Sequence, residues 1–234
     1  MISRGMTLAM QAVRLSLLAL MAAQAAGVAS RAQQFSAELM RTREGSVASV
    51  GHLRVSGDRV RIESPDFPDG FFLIDGARPA AYFVRPASGV FMDAKQTSAL
   101  VRLFVSVDPD NPCRQWQAMA AIAGLEELGE LRCEPVTTEA IGGHETLAYR
   151  VTAATGRSFM GWVDRARRFP LRIKTEDGSF ITADTIRDES QDALLFELPK
   201  GARKFDPQAL IERIKHSDVW VEAPKPASGD ARHD

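Results

Sequence analysis

Hydrophobic and polar positions alternate along much of the first half of the chain after residue 33. The alternation is clean in Arg59–Glu63, where Val60 and Ile62 share one side and the charged residues share the other. A period of two with a single apolar side is typical of antiparallel strands that bury one face of a sheet. Phe35–Arg41 fits a first strand or a short helix leading into one. The same pattern predicts strands at Val47–Val55, Phe71–Ile74, Ala80–Val84 and Val90–Met92.

A second alternating region, Phe159–Pro199, predicts consecutive antiparallel strands joined by short turns. Met160–Asp164 ends in a charged turn, and Pro170–Thr175 follows it. Asp177-Gly178 then turns the chain into Phe180–Arg187. Asp-Gly between two alternating runs is the strongest short hairpin signal that a sequence contains. Strands are also predicted near Leu131, Thr137–Ala140 and Glu145–Thr152.

Three segments have helical spacing instead. Thr97–Val107 carries apolar residues three and four positions apart. Asp110 or Asn111, just ahead of a proline, is a typical helix start, because proline suits the first helical position. That helix is predicted to run to Gly124, and a last helix is predicted at Pro207–His216.

The order of these pieces resembles the C-terminal half of the LolA/LolB-like superfamily of periplasmic lipoprotein carriers and related proteins. The residues that carry the resemblance are Trp162-Val163-Asp164, Phe169-Pro170-Leu171, Ile181–Ile186 and Leu195-Phe196-Glu197-Leu198-Pro199. The resemblance implies an α+β fold in which a strongly curved antiparallel sheet, a half-barrel, has helices covering its concave face. A single domain of this kind would span residues 33–221.

The first residues have the composition of an export signal. Arg4 and Arg14 give a positive start, Leu15–Ala23 is an apolar run, and small residues follow, which predicts a signal peptide over residues 1–32. An uncleaved anchor is the alternative, but the run is shorter than the roughly 18–20 apolar residues that a membrane span needs. The mature protein is therefore expected in a bacterial periplasm or outside the cell, without a stable membrane span. Residues 222–234 are expected to form a disordered tail.

The compartment decides how the two cysteines are interpreted. Cys113 and Cys133 are the only cysteines in the chain, and an even number in an oxidising compartment favours a disulfide. The alternatives are two free buried thiols or half of a metal site. The spacing fits neither paired zinc ligands nor the Cys-x-x-Cys of thiol redox chemistry.

Composition and motifs argue against catalysis and against nucleic-acid binding. The formal net charge is −1, so the chain lacks the basic surface that nucleic acid requires. The four histidines are scattered and none has a partner at metal-ligand spacing. No complete nucleophile motif and no glycine-rich phosphate loop occurs in the sequence. The sequence therefore predicts a protein that is not an enzyme and that uses no cofactor and no metal.

With no catalytic or nucleic-acid-binding motif in the sequence, apolar surface is the remaining feature that could serve a function. Methionine and aromatic side chains adapt to variable apolar guests, so those on the predicted concave face are candidates for lipid binding. These candidates are Phe72, Ile74, Phe83, Met92, Trp116, Met119, Ile122, Met160 and Trp162. The same residues could be ordinary core, and the sequence leaves both interpretations open.

Two functions follow from these expectations. The first is an exported binding protein that holds a lipid, an acyl chain or a lipoprotein in its concave face, with outer-membrane lipoprotein sorting as a role implied by the resemblance. The alternative is a periplasmic protein-interaction or envelope-stress regulatory module. An empty, dry cavity larger than a few hundred Å³ favours the first, and a packed interior with an exposed apolar patch favours the second.

Overall fold

A computed structural model describes residues 33–94 and 99–215. The segments predicted to be a signal peptide and a disordered tail lie outside these residues, so both remain predictions. Within the described residues the strands are β1 (Gln34–Arg43), β2 (Ser46–Ser56), β3 (Arg59–Glu63), β4 (Phe71–Asp75), β5 (Ala80–Arg85), β6 (Val90–Asp93), β7 (Leu131–Ile141), β8 (His144–Ala153), β9 (Ser158–Asp164), β10 (Phe169–Lys174), β11 (Phe180–Asp188) and β12 (Arg203–Lys204). The helices are α1 (Ala99–Leu103), α2 (Pro112–Ile122) and α3 (Pro207–Lys215).

All of these strands belong to one sheet in the order β12-β6-β5-β4-β3-β2-β1-β11-β10-β9-β8-β7. Neighbouring strands are antiparallel except β12, which pairs in parallel with β6. The order consists of two meanders, β1–β6 and β7–β11, joined where β1 pairs with β11. The expected antiparallel architecture is therefore confirmed, and the sheet is curved and unclosed.

The contacts of α2 require this curvature. The helix touches both β7, at one edge of the sheet, and β5, near the other edge. In a flat sheet these strands lie nine positions apart, and spacings of about 4.8 Å would separate them by roughly 43 Å. One helix can touch both strands only because the sheet bends around it.

The alternation seen in the sequence gives the sheet one apolar face, here called the core face. Its strands pair apolar side chains directly, as in Phe35 opposite Val55 and Ile62 opposite Phe72. These cross-strand pairs continue through the two meanders and give one contiguous core. Its largest fully buried side chains are Trp116, Phe35, Phe104, Phe169, Leu39, Leu53, Ile62, Met119, Ile141, Leu171, Ile173 and Val55.

The opposite face, here called the outer face, carries a smaller apolar cluster of Phe71, Leu73 and Val84. The segment 189–205 crosses this face after β11. Arg61 donates a hydrogen bond to the carbonyl of Leu195 in that segment at 3.2 Å, and its guanidinium lies 3.5 Å from the centre of the Phe71 ring. The crossing ends where β12 pairs with β6, which brings the chain to the far edge of the sheet.

A buried arginine ties the β9–β10 turn to the end of β11. Arg167 pairs with Asp164 at 2.8 Å and with Asp188 at 2.6 Å, and its side chain is only 10% exposed. Burial lowers the pKa of Arg167, but hydrogen bonds to both carboxylates outweigh that effect and raise it. Removing Arg167 would leave the buried carboxylate of Asp164, which is 4% exposed, without its ion-pair partner, and this is strongly destabilising.

Two contacts anchor α2 to the edge strand β7. The predicted disulfide between Cys113 and Cys133 is confirmed. One turn further along the helix, the side-chain amide of Gln117 accepts a hydrogen bond from the backbone N–H of Leu131 at 2.6 Å and donates one to the carbonyl of Gly129 at 3.0 Å. The start of β7 is therefore held against the helix by both covalent and hydrogen bonds.

The helix predicted over Thr97–Val107 is shorter in the structure. It ends at Leu103, because Ser106 and Val107 instead bond to loops of the sheet: the Ser106 hydroxyl donates to the Gly57 carbonyl at 2.7 Å, and the Val107 N–H donates to the Arg168 carbonyl at 2.9 Å. The apolar spacing that predicted a helix reflects burial of this segment rather than helical periodicity. The short strand β12 was missed because its Arg-Lys sequence has no apolar pattern.

Reducing the disulfide tests how far it stabilises the fold. The bridge closes a loop with a sequence separation of 20 residues, which predicts a loss of about 3 kcal/mol from the free energy of unfolding when it is opened. Urea unfolding with and without a thiol reductant measures this loss. A variant in which both cysteines are replaced by serine is the control and should not respond to reductant. Identical midpoints for the oxidised and reduced wild-type protein would contradict the expectation.

Candidate functional site

A half-open cavity of about 490 Å³ lies between α2 and the neighbouring ends of β8 and β9. It is bounded by the end of α1, one side of α2, the start of β7 and the turn between β10 and β11. Its lining residues are Arg102, Leu103, Trp116, Ala120, Leu128, Leu131, Ala153, Arg157, Ser158, Phe159, Thr175, Glu176 and Asp177. The residues from the helices and strands are mainly apolar, and the charged residues come from the turns.

Trp116 forms the innermost apolar wall of this cavity. Its ring packs on Gly161 of β9, where an added Cβ would lie 2.6 Å from the ring, so only glycine leaves room for it. The indole N–H donates to the Leu103 carbonyl at 3.0 Å, and the ring meets Phe159 edge to face at 5.3 Å between centroids. The tryptophan is 1% exposed, so its polar N–H is satisfied while its ring is enclosed.

Small side chains opposite Trp116 leave the space open. Ala120 on α2 and Ala153 on β8 both line the cavity. Both are themselves buried, so the space exists because no larger side chain extends from these positions. Leu128 and Leu131 complete the apolar wall on the β7 side.

Ion pairs and hydrogen bonds occupy most of the charged groups at the mouth. Arg157 pairs with Glu176 at 2.9 Å, and both side chains are more than half exposed. Hydrogen bonds from the Thr175 hydroxyl, and then from the Ser179 hydroxyl and N–H, lower the pKa of Asp177 to about 2. The mouth therefore holds two carboxylates that are already bonded to neighbouring side chains.

Arg102 is the charged side chain of the cavity without such a partner. Burial, and secondarily the like charge of Arg157, lowers the pKa of Arg102, and Glu127 opposes this shift only weakly. Its Nε is buried and makes no hydrogen bond within residues 33–94 and 99–215.

A larger hollow of about 700 Å³ lies on the outer face, beside the loop 64–70. Its charged side chains pair with each other: Arg61 with Glu63 at 2.8 Å, and His52 with Glu38 at 2.9 Å. This hollow is more open to solvent than the cavity beneath α2 and most of its charged groups are paired, so it is the poorer candidate, although the buried Nε2 of His52 makes no hydrogen bond within the described residues.

The candidates predicted from sequence divide by burial. The buried ones are Phe72, Ile74, Trp116, Met119 and Trp162. The half-buried ones are Phe83, Met92, Ile122 and Met160. Of the whole set, Trp116 lines the 490 Å³ cavity. Ile122 and Ile74 line separate smaller hollows of about 350 and 280 Å³.

Met160 and Trp162 do not share a face with Trp116, contrary to the expectation from sequence. They flank Gly161, and residues next to each other in a strand point to opposite faces, so both lie on the outer face. There the Trp162 indole N–H donates to the Glu139 carboxylate at 2.8 Å, and its ring lies 6.1 Å from that of Phe180.

Sequence reasoning missed most residues of the cavity wall. Leu128, Leu131, Ala153 and Phe159 sit in a short 3-10 turn or at strand ends, where the alternation stops. One local signal existed: Gly161 interrupts an apolar strand, and a strand glycine often marks a close approach by another group.

Two further findings concern metal ligands and membrane helices in the described residues. No group of three or more His, Cys, Asp or Glu side chains in them could hold a metal ion. None of their helices is long and apolar enough to cross a membrane.

The chain matches no protein-family model and no curated protein. Among solved structures it is similar to PNGF-II, with 12% identity, coverage of 79% of this chain and 33% of that one, and a TM-score of 0.45. This chain therefore spans about a third of the length of PNGF-II.

Two further similar structures come from bacterial proteins. For the Pseudomonas aeruginosa MucA/MucB complex the identity is 15%, the coverage 75% and 59%, and the TM-score 0.39. A putative outer membrane lipoprotein-sorting protein domain from Vibrio parahaemolyticus is 11% identical to this chain. The match covers 77% of this chain and 97% of that one, with a TM-score of 0.35. All of these TM-scores are below 0.5, so the similarities carry no argument about this chain.

Replacing Gly161 with alanine tests the contact on which the cavity wall depends. The new Cβ would overlap the enclosed Trp116 ring, and overpacking of this kind costs roughly 1–3 kcal/mol of the free energy of unfolding. Gly76→Ala is the matched control, because its Cβ would have no neighbour closer than 3.4 Å. Urea unfolding of the two variants gives the comparison. Equal stability of both would show that Trp116 is not held on Gly161.

Proposed function

We propose that this chain is an exported, non-enzymatic binding protein that takes up an acyl chain or a lipidated polypeptide in the cavity beneath α2. The observation that carries the proposal is the half-open cavity of about 490 Å³ whose inner wall is formed by Trp116. Its volume falls within the range of roughly 300–1,000 Å³ that small-molecule sites occupy. It also exceeds the few hundred Å³ expected of a binding cavity, although it is half-open rather than fully enclosed.

The shape and chemistry of the cavity favour a chain-like apolar guest. The inner wall is apolar and the charged groups lie at the mouth, so a guest with an apolar end and a polar end would enter apolar end first. Each Å² of apolar surface removed from water contributes about 25 cal/mol before the costs of association are subtracted. The half-buried Phe159 ring supplies contact surface beside the enclosed Trp116 ring.

The side chains around the cavity support binding rather than catalysis. The lining residues include no histidine and no cysteine. Ser158 is the exposed hydroxyl nearest the apolar wall, and a serine nucleophile requires an adjacent general base. The carboxylates at the mouth are held by Arg157 and by Thr175, which leaves them in structural roles.

Periplasmic location is part of the same proposal. The disulfide between Cys113 and Cys133 anchors the helix that forms the cavity, and such bonds persist in oxidising compartments. The predicted signal peptide over residues 1–32 would deliver the chain there. A role in outer-membrane lipoprotein sorting is the biological setting that the resemblance in strand order implies.

Binding of a protein segment is a second candidate, favoured by the edge of the sheet. Among the described residues, β7 pairs only with β8, so its other edge has backbone groups free to pair with an added strand. Pro135, a bulge between Pro135 and Thr137, and several charged side chains interrupt this edge, as is usual for edges that avoid pairing. A regulatory partner would therefore have to pair with the short stretches on either side of the bulge.

Filling the cavity tests the leading proposal. Ala120→Phe places a ring in the space that the guest would occupy and should weaken binding of dodecanol by tenfold or more, as measured by the fluorescence of the chain during titration. Ala121→Phe puts the same ring on an exposed position of the same helix and should bind as the wild-type protein does.

The two variants must be compared at equal foldedness, checked by circular dichroism and thermal unfolding. If dodecanol binds Ala120→Phe as tightly as the wild-type protein, the cavity is not the binding site. If the wild-type protein binds no dodecanol, long-chain fatty acid or lipopeptide, the proposal of an apolar guest fails altogether.

A further inference from the structure

The cavity contains a charge that the rest of the described residues leave unbalanced. Arg102 lies at the C-terminal end of α1, where it lines the cavity together with Trp116 and Leu103. Its buried Nε has no hydrogen-bond partner, and no carboxylate of the described residues forms an ion pair with it. An unpaired, partly buried guanidinium is costly, because arginine stays protonated and has five N–H groups to satisfy.

The other charged groups of the cavity cannot fill this role as they stand. Glu176 is paired with Arg157, and Asp177 is bonded to Thr175. Both carboxylates are more than half exposed, whereas the guanidinium of Arg102 is half-buried beside the apolar wall. The charges of the lining residues sum to zero, but the half-buried Arg102 is not paired with either of the two carboxylates.

A second arginine stands close to the first. Arg157 is near enough to Arg102 for its charge to act on it, and the two guanidinium groups line the same cavity. The pair of Arg157 with Glu176 is exposed, and exposed ion pairs of this kind are weak enough to exchange partners. Two guanidinium groups around one space are an arrangement that suits a carboxylate or a phosphate, whose oxygens accept paired N–H bonds.

We propose that the cavity selects single-chain amphiphiles with an anionic head group, whose carboxylate or phosphate is bound by Arg102 while the alkyl chain packs against Trp116. This proposal rests on the proposed function and specifies the class of guest. The anion would balance the charge of the Arg102 guanidinium, which lines the cavity. Arg157 would contribute a second contact when it turns from Glu176 toward the head group.

The test compares guests that share one alkyl chain and differ in the head group. Dodecanoate, dodecyl phosphate, 1-dodecanol and dodecyltrimethylammonium are titrated into the full chain below their micelle concentrations at neutral pH, and chain fluorescence is followed. The two anions should bind the wild-type protein about tenfold more tightly than dodecanol, which corresponds to about 1.4 kcal/mol. The cation should bind more weakly than dodecanol.

Variants assign the preference to Arg102. Arg102→Gln should remove the advantage of both anions over dodecanol. Arg114→Gln, which removes one positive charge from an exposed position of α2, is the matched control and should keep the advantage. Arg102→Lys keeps the charge without the paired N–H geometry and should retain part of the advantage.

The outcomes separate this inference from the proposed function. Equal affinity of the wild-type protein for anions and dodecanol overturns the inference but leaves an apolar guest in place. Survival of the anion advantage in a folded Arg102→Gln variant also overturns it. Binding of none of these amphiphiles overturns the proposed function itself. The wild-type head-group comparison is decisive even if a variant does not fold.

Discussion

The attachment of one helix to one edge of a bent sheet is the constraint on which the rest of this structure depends. The disulfide between Cys113 and Cys133 and the hydrogen bonds of Gln117 hold α2 to the start of β7. From this position the helix can also touch β5 only if the sheet curves around it. The same contacts therefore determine both the curvature of the sheet and the position of the helix.

The cavity follows from which side chains the helix presents to the sheet. The Trp116 ring reaches β9 because Gly161 has no side chain, and the ring closes one end of the cavity. One helical turn further on, Ala120 is too short to fill the gap that faces Ala153. A large residue beside a small one on the same helix face gives a cavity with one closed end and one open end. Such a shape suits an elongated guest better than a compact one.

The charged residues are also ordered from the closed end of the cavity to its mouth. The apolar wall lies at the closed end, the half-buried Arg102 lies beside it, and the mouth carries the exposed pair of Arg157 and Glu176. An elongated guest would thus place its apolar end at the closed end and its polar end at the mouth. The chemistry at the mouth orients the guest, and the area at the closed end contributes most of its binding free energy.

Much of the sheet could be predicted from sequence because alternation reports directly on a surface with one buried face. Arg59–Glu63 and the Asp177-Gly178 turn are examples in which the local pattern and the structure coincide. The site was less accessible to prediction. Met160 and Trp162 look like lining residues by type, yet their positions on either side of Gly161 place them on the outer face. The true wall joins a short turn to the ends of β7, β8 and β9, which are neighbours in the sheet through pairing that the local sequence pattern does not reveal.

Native mass spectrometry of the full chain, purified from its host cells without detergent, tests the central claim most directly. A cavity that is open beneath α2 in the cell should retain a guest, so we expect a population of protein with the added mass of a single-chain lipid or a lipidated peptide. Gentle collisional activation should release that mass and leave the intact disulfide-bonded chain. A spectrum that contains only the bare chain, together with no mass shift after incubation with single-chain amphiphiles, would contradict the account.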